Sequence, residues 1–345
     1  MRKNDSVTAI KWQDDHLLLL DQRLLPQQVK WLDITSTEDT VAAIKDMVVR
    51  GAPAIGITAA YGVVMAVQAH HQHSPGNWKV LVEADLASLR EARPTAVNLA
   101  WAIRRMSRVI ETIDGDPFPQ LLAEARAIHD EDVAANRRMG ALGAELITPG
   151  KSVLTHCNAG SLATGGYGTA LGVIRSAWQQ QRIESVYADE TRPWLQGARL
   201  TAWELLEDGI PTNMVVEGAA SALMASGQIG WIIVGSDRIA ANGDVANKIG
   251  TCNLAIIARH YGVKFMVVAP VSTCDPDMPS GQGIPIESRD QNEVLSISGD
   301  RIAAQGAQAW NPVFDITPAE LVDAIVTEKA VIMAPDAEKM KVLWH

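Results

Sequence analysis

Val153-Leu154-Thr155-His156-Cys157-Asn158-Ala159-Gly160-Ser161-Leu162-Ala163-Thr164-Gly165-Gly166-Tyr167-Gly168-Thr169-Ala170 decides the fold. A short apolar run opens into a glycine-rich loop, and a helical pattern follows. Strand, loop and helix in that order begin a strand–helix–strand unit. The alternation continues downstream. Apolar runs at 183–187, 214–216, 231–234 and 265–268 are short, β-branched and bounded by turns, so they read as strands buried on both faces. Helix-length amphipathic segments near 167–180, 195–207, 218–226 and 247–260 separate them. The second half is therefore expected to be α/β, an open parallel sheet with right-handed crossovers. Ligands of such sheets bind beyond the carboxyl ends of the strands, so chemistry is expected in the loops that follow them.

Upstream the pattern differs. Apolar runs at 7–10, 17–20 and 29–32 predict a short antiparallel meander. Thr35-Ser36-Thr37-Glu38-Asp39 offers a capping pattern ahead of Val41, Ile44, Met47 and Val48, whose spacing marks one helix face. That helix should stop near Arg50-Gly51-Ala52-Pro53. Further helical patterns run over 55–69, 78–90, 97–110 and 121–146. Thr148-Pro149-Gly150 is the expected boundary, giving a smaller meander-and-helix domain at 1–148 and the sheet domain at 149–345.

Composition narrows the function. The 345 residues are 47% apolar and 20% charged, ordinary for a folded protein. With 30 Lys plus Arg against 40 Asp plus Glu, the net charge of −10 gives no global basic field for nucleic acid or an anionic membrane. A phosphate must be met by a local cluster. Three cysteines are too few for a disulfide framework and point to a reducing compartment, so the cytoplasm is expected. Residues 1–12 carry no apolar run like a signal peptide, and no stretch reads as a membrane span free of polar interruption.

Backbone N–H groups of the glycine-rich loop could hold an anion, and the same dipoles would stabilise a Cys157 thiolate. A lone cysteine is usually a small core residue, but this loop is polar and glycine-rich, which favours function. Cys252, among Ile249, Leu254, Ile256 and Ile257, reads as core, and Cys274 as incidental. Two nucleotide motifs fail. Gly166-x-Gly168 lacks a small third residue, since position 171 is Leu, and Gly150-Lys151-Ser152 precedes a strand instead of following one. His70, His71 and His73 read as a solvated turn without a metal-ligand set, and no cofactor is expected. The loop Gly235-Ser236-Asp237-Arg238 follows the 231–234 strand, so Asp237 should emerge at the same sheet edge as Cys157, with Asn247-Lys248 opening the next helix. A thiol and a carboxyl converging there could share acid and base duties. Lys248 and Arg50 are candidate phosphate ligands, although isolated cations are usually just surface.

Longer motifs then become recognisable. Arg50-Gly51-Ala52-Pro53-Ala54-Ile55-Gly56, the Cys157 segment, Asp189-Glu190-Thr191-Arg192-Pro193, Gln196-Gly197-Ala198-Arg199-Leu200, the Asp237 loop through Asn247-Lys248-Ile249-Gly250-Thr251, and Asn311-Pro312-Val313-Phe314-Asp315 together resemble the methylthioribose-1-phosphate isomerase family. The resemblance covers nearly the whole chain. The wider superfamily also holds regulatory subunits of the translation-initiation exchange factor and archaeal ribose-1,5-bisphosphate isomerases. Non-catalytic members generally lack the cysteine and aspartate pair, which this chain keeps.

The resemblance implies a Rossmann-like C-terminal domain, a mainly helical N-terminal domain, an interdomain cleft and a homodimer. It matches Cys157 and Asp237 to the catalytic pair. Arg50, Gly51, Ala52, Arg93, Gln196, Asn247 and Lys248 match positions that bind a sugar 1-phosphate. Arg93 lies in Ala92-Arg93-Pro94-Thr95-Ala96-Val97-Asn98, another family-like segment. The implied reaction turns 5-methylthioribose 1-phosphate into the ketose, with Asp237 kept protonated in a dry pocket to serve the ring oxygen while Cys157 manages transfer from C2 to C1. Glu217-Gly218 and Trp194 depart from the family pattern, which keeps 5-deoxyribose 1-phosphate as an alternative substrate. A non-enzymatic sugar-phosphate or nucleotide sensor is the rival of another class.

Overall fold

The computed structural model describes residues 7–93 and 96–344. Residues 1–6 of the N-terminal reading, and Pro94 and Thr95 of the Arg93 segment, lie outside the described residues. The chain forms two compact units. One comprises residues 7–137 with Gly160–Gly168, the other residues 138–159 with 169–344.

The first unit opens with the antiparallel meander β1 (Ile10–Gln13), β2 (His16–Leu20) and β3 (Trp31–Ile34). The first strand lies three residues later than expected because the hairpin turns at Asp14-Asp15, both at positive φ, which pairs Gln13 with His16. Helix α1 (Thr37–Lys45) starts at Ser36, whose Oγ accepts the Asp39 N–H at 3.0 Å. α2 (Ala52–His73) follows with Pro53 in its first turn, packed by α1, α3 (Trp78–Ala92) and α4 (Val97–Thr112). By length and composition alone, α2 is long and apolar enough to cross a membrane, although polar residues such as Thr58 and Gln68 interrupt it. Its residues from Ala54 to Val67 are all buried, so it is a core helix here. The histidine triplet is also no loop: His70, His71 and His73 form the last turn of α2, and His70 Nε2 meets Asp85 Oδ2 at 2.6 Å.

Helix α5 (Phe118–Glu145) contains the division between units, at Arg137 and Arg138. The second unit holds β4 (Lys151–Thr155), α6 (Ala170–Gln179), β5 (Ile183–Asp189), α7 (Ala202–Glu207), β6 (Thr212–Val215), α8 (Ala220–Ala225) and β7 (Ile229–Val234). It continues through β8 (Arg238–Ala240), β9 (Val245–Lys248), α9 (Thr251–Tyr261), β10 (Lys264–Val268) and β11 (Cys274–Asp275). A small hairpin, β12 (Ser296–Ile297) and β13 (Asp300–Arg301), precedes β14 (Phe314–Thr317), β15 (Ala324–Val326) and β16 (Val331–Met333).

The main sheet runs β16-β15-β10-β7-β4-β5-β6, parallel throughout except for the antiparallel edge strand β16. Alternate side chains of its central strands feed opposite faces. Val153, Val186 and Ile233 join Leu171 and Ile174 of α6 in one core, while Leu154, Ile232 and Phe265 join Met224 and Leu254 of α8 and α9 in the other. From β4 the chain adds β5 and β6 outward on one side, then returns to place β7 on the other side of β4. The strand order therefore reverses between β4 and β7, and a crevice opens at the carboxyl end of such a reversal.

One sequence reading is corrected here. Asn247-Lys248 does not open a helix but ends β9, which pairs antiparallel with β14, Asn247 opposite Asp315. Gly250, at φ +102°, turns the chain before α9 begins at Thr251.

Candidate active site

Cys157 follows β4 and Asp237 follows β7, the two strands at the reversal. Their loops touch. A Cβ on Gly235 would stand 2.6 Å from that of Ala159, so only glycine lets the β7 loop lie against the Cys157 loop. Cys157, half-buried, has left-handed backbone at φ +61°. Two threonines hold that conformation: Thr191 Oγ1 accepts the Cys157 N–H at 2.9 Å, and Thr201 Oγ1 donates to the Cys157 carbonyl at 2.6 Å. Thr191 is itself at φ +64°, rare for a β-branched residue. Thr201 ends a π-helical turn, Gly197–Thr201, that runs into α7.

Beneath this loop lies a fully buried charge cluster. Arg175 donates to Glu204 Oε2 at 2.9 Å and to Asp208 Oδ2 at 2.7 Å, with all three side chains sealed from solvent. Asn158 Nδ2 donates to Glu204 Oε1 and Thr201 Oγ1, which ties the residue after Cys157 to the cluster. Gln196 precedes the π-helical turn, is buried, and its Oε1 has no hydrogen-bond partner among the described residues. A buried, unpaired acceptor of this kind is costly until a donor arrives. Gly197 beside it admits no side chain, since a Cβ would fall 1.6 Å from the Asp189 carbonyl oxygen.

The Asp237 loop is anchored to β9. Asp237 N–H donates to the Ala246 carbonyl at 3.0 Å, and Ser236 Oγ donates to the Arg238 and Ala246 carbonyls. Asp237 itself is exposed among the described residues. One residue beyond Ala246, Asn247 is buried and donates from Nδ2 to Thr251 Oγ1 at 3.0 Å. The Lys248 ammonium, also buried, donates to the Val313 carbonyl at 2.9 Å and lies 4.8 Å from the centre of the Phe314 ring.

Sequence reasoning missed the pair that closes this arrangement. His156 Nδ1 meets Asp189 Oδ2 at 2.9 Å and Nε2 meets the Ile249 carbonyl at 2.9 Å. The His156 and Asp189 side chains are fully buried. Burial pushes the Asp189 carboxyl above its ordinary range, and the hydrogen bond from His156 opposes that shift. Asp315 accepts the N–H groups of Gly250 and Cys252, capping α9; burial pushes its carboxyl up, and those two bonds pull it down. The sequence cue was His156 standing next to Cys157, with an aspartate ending the neighbouring strand.

Arg50, Gly51, Ala52 and Arg93 belong to the first unit. Gly51, at φ +90°, caps α2 without a side chain, and a Cβ there would fall 2.4 Å from the Ala163 carbonyl oxygen. Arg50 and Ala52 flank it, half-buried. Arg93 ends α3, and its carbonyl accepts the Ala96 N–H at 3.0 Å. The glycine-rich loop Gly160–Gly168 is stitched into this unit by Gln22 Nε2 to the Leu162 carbonyl, Asp132 Oδ2 to the Gly165 N–H and Asn136 Nδ2 to the Gly166 carbonyl. Among the described residues no three His, Cys, Asp or Glu side chains are grouped to hold a metal ion.

Comparison with known proteins adds to this geometry. Residues 48–334 match the Initiation factor 2 subunit family. The chain is 62% identical over 332 residues to the methylthioribose-1-phosphate isomerase of Alkalilimnicola ehrlichii, covering 96% of each chain. It is also 62% identical to that of Thioalkalivibrio sulfidiphilus, covering 98% of this chain and 97% of the other. Among solved structures, 5-methylthioribose 1-phosphate isomerase from Pyrococcus horikoshii OT3 superposes with a TM-score of 0.93 at 41% identity, covering 98% and 96% of the two chains. The translation initiation factor eIF-2B subunit delta from A. fulgidus superposes at 0.91 and 39%, covering 99% and 100%. The chain belongs to the Initiation factor 2 subunit family and, within it, to the methylthioribose-1-phosphate isomerases.

Proposed function

We propose that this chain is an aldose–ketose isomerase that converts 5-methylthioribose 1-phosphate to 5-methylthioribulose 1-phosphate, a step of methionine salvage. The observation that carries the mechanism is the emergence of Cys157 and Asp237 from adjacent strands at the reversal of the sheet. In a sugar 1-phosphate the anomeric oxygen is esterified, so the ring cannot open to a free aldehyde. Asp237 gives a proton to the ring oxygen as its bond to C1 breaks. The C2 hydrogen passes to C1, either as a proton taken by the Cys157 thiolate and returned or as a hydride, and the C2 hydroxyl gives its proton to the Asp237 carboxylate as the ketone forms, which restores the acid.

In the second unit, Lys248 is assigned to the phosphate; in the first unit, Arg50, Arg93 and the uncapped start of α2 at Gly51 and Ala52 match phosphate-binding positions of the family. Gln196 and Asn247 reach sugar hydroxyls, and the orphaned Gln196 Oε1 supports that assignment. A homodimer in the cytoplasm completes the reading; exposed Met214 in edge strand β6 and Val216 just beyond it support the association of two copies.

A second reading, that 5-deoxyribose 1-phosphate is also turned over, is favoured by Glu217-Gly218. Glu217 Oε1 accepts the N–H of Arg192, two residues before Trp194, so both departures from the family pattern meet at one loop. Purified protein should turn over methylthioribose 1-phosphate, and Cys157→Ala and Asp237→Asn should each abolish turnover while remaining folded. Near-normal activity in either variant overturns the assignment. Solvent deuterium at C1 of the product would exclude an exclusive hydride shift, and the ratio of kcat/KM for the two sugars ranks the substrates.

A further inference from the structure

The site elements of the second unit form a closed circuit. The Cys157 loop touches the β7 loop through Ala159 and Gly235, and Asp237 is bonded to Ala246 of β9. β9 then leads through Asn247 and Lys248 to Ile249, whose carbonyl meets His156, the residue before Cys157. We propose that His156 is a positioning residue that fixes the Asn247–Lys248 end of β9 and the Ile249-Gly250 turn after it against the Cys157 loop by bridging Asp189 and the Ile249 carbonyl. This rests on the reading in which Cys157 and Lys248 serve one sugar phosphate.

The chemistry of the two partners dictates the proton arrangement. A carbonyl oxygen only accepts, so Nε2 carries a hydrogen and donates to Ile249. One further proton lies between Nδ1 and Asp189 Oδ2, whichever of them holds it. The ring is fixed at both nitrogens and cannot flip without losing two buried hydrogen bonds. It is also fixed sterically: a Cβ on Gly250 would lie 3.0 Å from His156 Cε1, so the turn rests directly on the imidazole. Asp315 secures the far side of the turn through the Gly250 and Cys252 N–H groups. His156 is therefore the link that sets the distance from thiol loop to lysine, while touching neither group of the reaction itself.

His156→Asn keeps a polar group near Asp189 but is too short to reach Ile249, whereas His156→Gln retains a donor at the Nε2 position. In His156→Asn, KM for the sugar 1-phosphate and the inhibition constant of inorganic phosphate should both rise by about tenfold or more with a smaller change in kcat, and His156→Gln should stay within about threefold of the parent. Backbone amides of residues 249–253 should exchange hydrogen faster in His156→Asn than in the parent. Gly250→Ala, which pushes on the same ring from outside, should raise KM in the same way and serves if His156→Asn does not fold. A folded His156→Asn with KM within about twofold of the parent and unaltered exchange at 249–253 overturns the proposal. If the parent turns over no sugar 1-phosphate, the reading of the site fails, and the exchange comparison still decides for or against the link.

Discussion

Replacing Arg175 by Met tests how the thiol loop is supported. The guanidinium lies at 2.9 Å from Glu204 and 2.7 Å from Asp208, with no exposure of any of the three side chains. Met fills much of the volume but leaves two carboxylates buried without their cation, a loss of about 3–5 kcal/mol. For a domain of this size each kcal/mol moves the thermal midpoint by about 2–4 °C, so a fall of roughly 6–20 °C is expected at pH 8. The sign of the pH dependence follows. Without Arg175, burial raises the folded-state pKa of the carboxyls above the unfolded value, so the folded state binds more protons and loses stability as pH rises through that window. The deficit of the variant should therefore shrink at pH 5. Scanning calorimetry of parent and variant at both pH values measures it, and the triple variant Arg175→Met, Glu204→Gln, Asp208→Asn should recover most of the loss. A fall below about 3 °C at pH 8, or a larger deficit at pH 5 than at pH 8, refutes the reasoning.

Thr201→Val removes the hydroxyl that donates to the Cys157 carbonyl and accepts from Asn158, so kcat should drop about tenfold with KM nearly unchanged; steady-state kinetics beside circular dichroism decide, and an unchanged kcat would mean that the left-handed Cys157 needs no such tie. Burial pushes the Cys274 thiol up to about 12 from an ordinary 9.0. Its contribution to stability is then complete below about pH 9 and is lost as pH climbs toward 12, so urea midpoints should decline over that range and decline less in Cys274→Val.

The central strands were legible because each is a β-branched run sealed on both faces, and that pattern is local. What escaped was whatever depends on a partner far along the chain. Asn247-Lys248 reads as a helix start because a helix-length amphipathic segment runs over 247–260, yet β14, pairing Asn247 with Asp315, extends those residues instead. The glycine-rich loop read as part of the sheet domain's edge, but Asp132 and Asn136, a helix away in sequence, draw it into the first unit. His156 could be seen beside Cys157, whereas its bonds to positions 189 and 249 could not. Asp237 was placed correctly at the sheet edge, and its exposure was not foreseen because nothing in its neighbours announces how far the loop projects.

The doubling back of the sheet has a consequence for assembly. A cut at the exposed Gly227, between α8 and β7, would leave the sulfur on one fragment and the carboxyl on the other. Each piece would carry a run of neighbouring strands, yet neither could host both of the proposed reacting groups. Complementation of the two fragments would thus report the insertion of β7 beside β4 as a single event, making catalytic output a direct readout of when this seam closes.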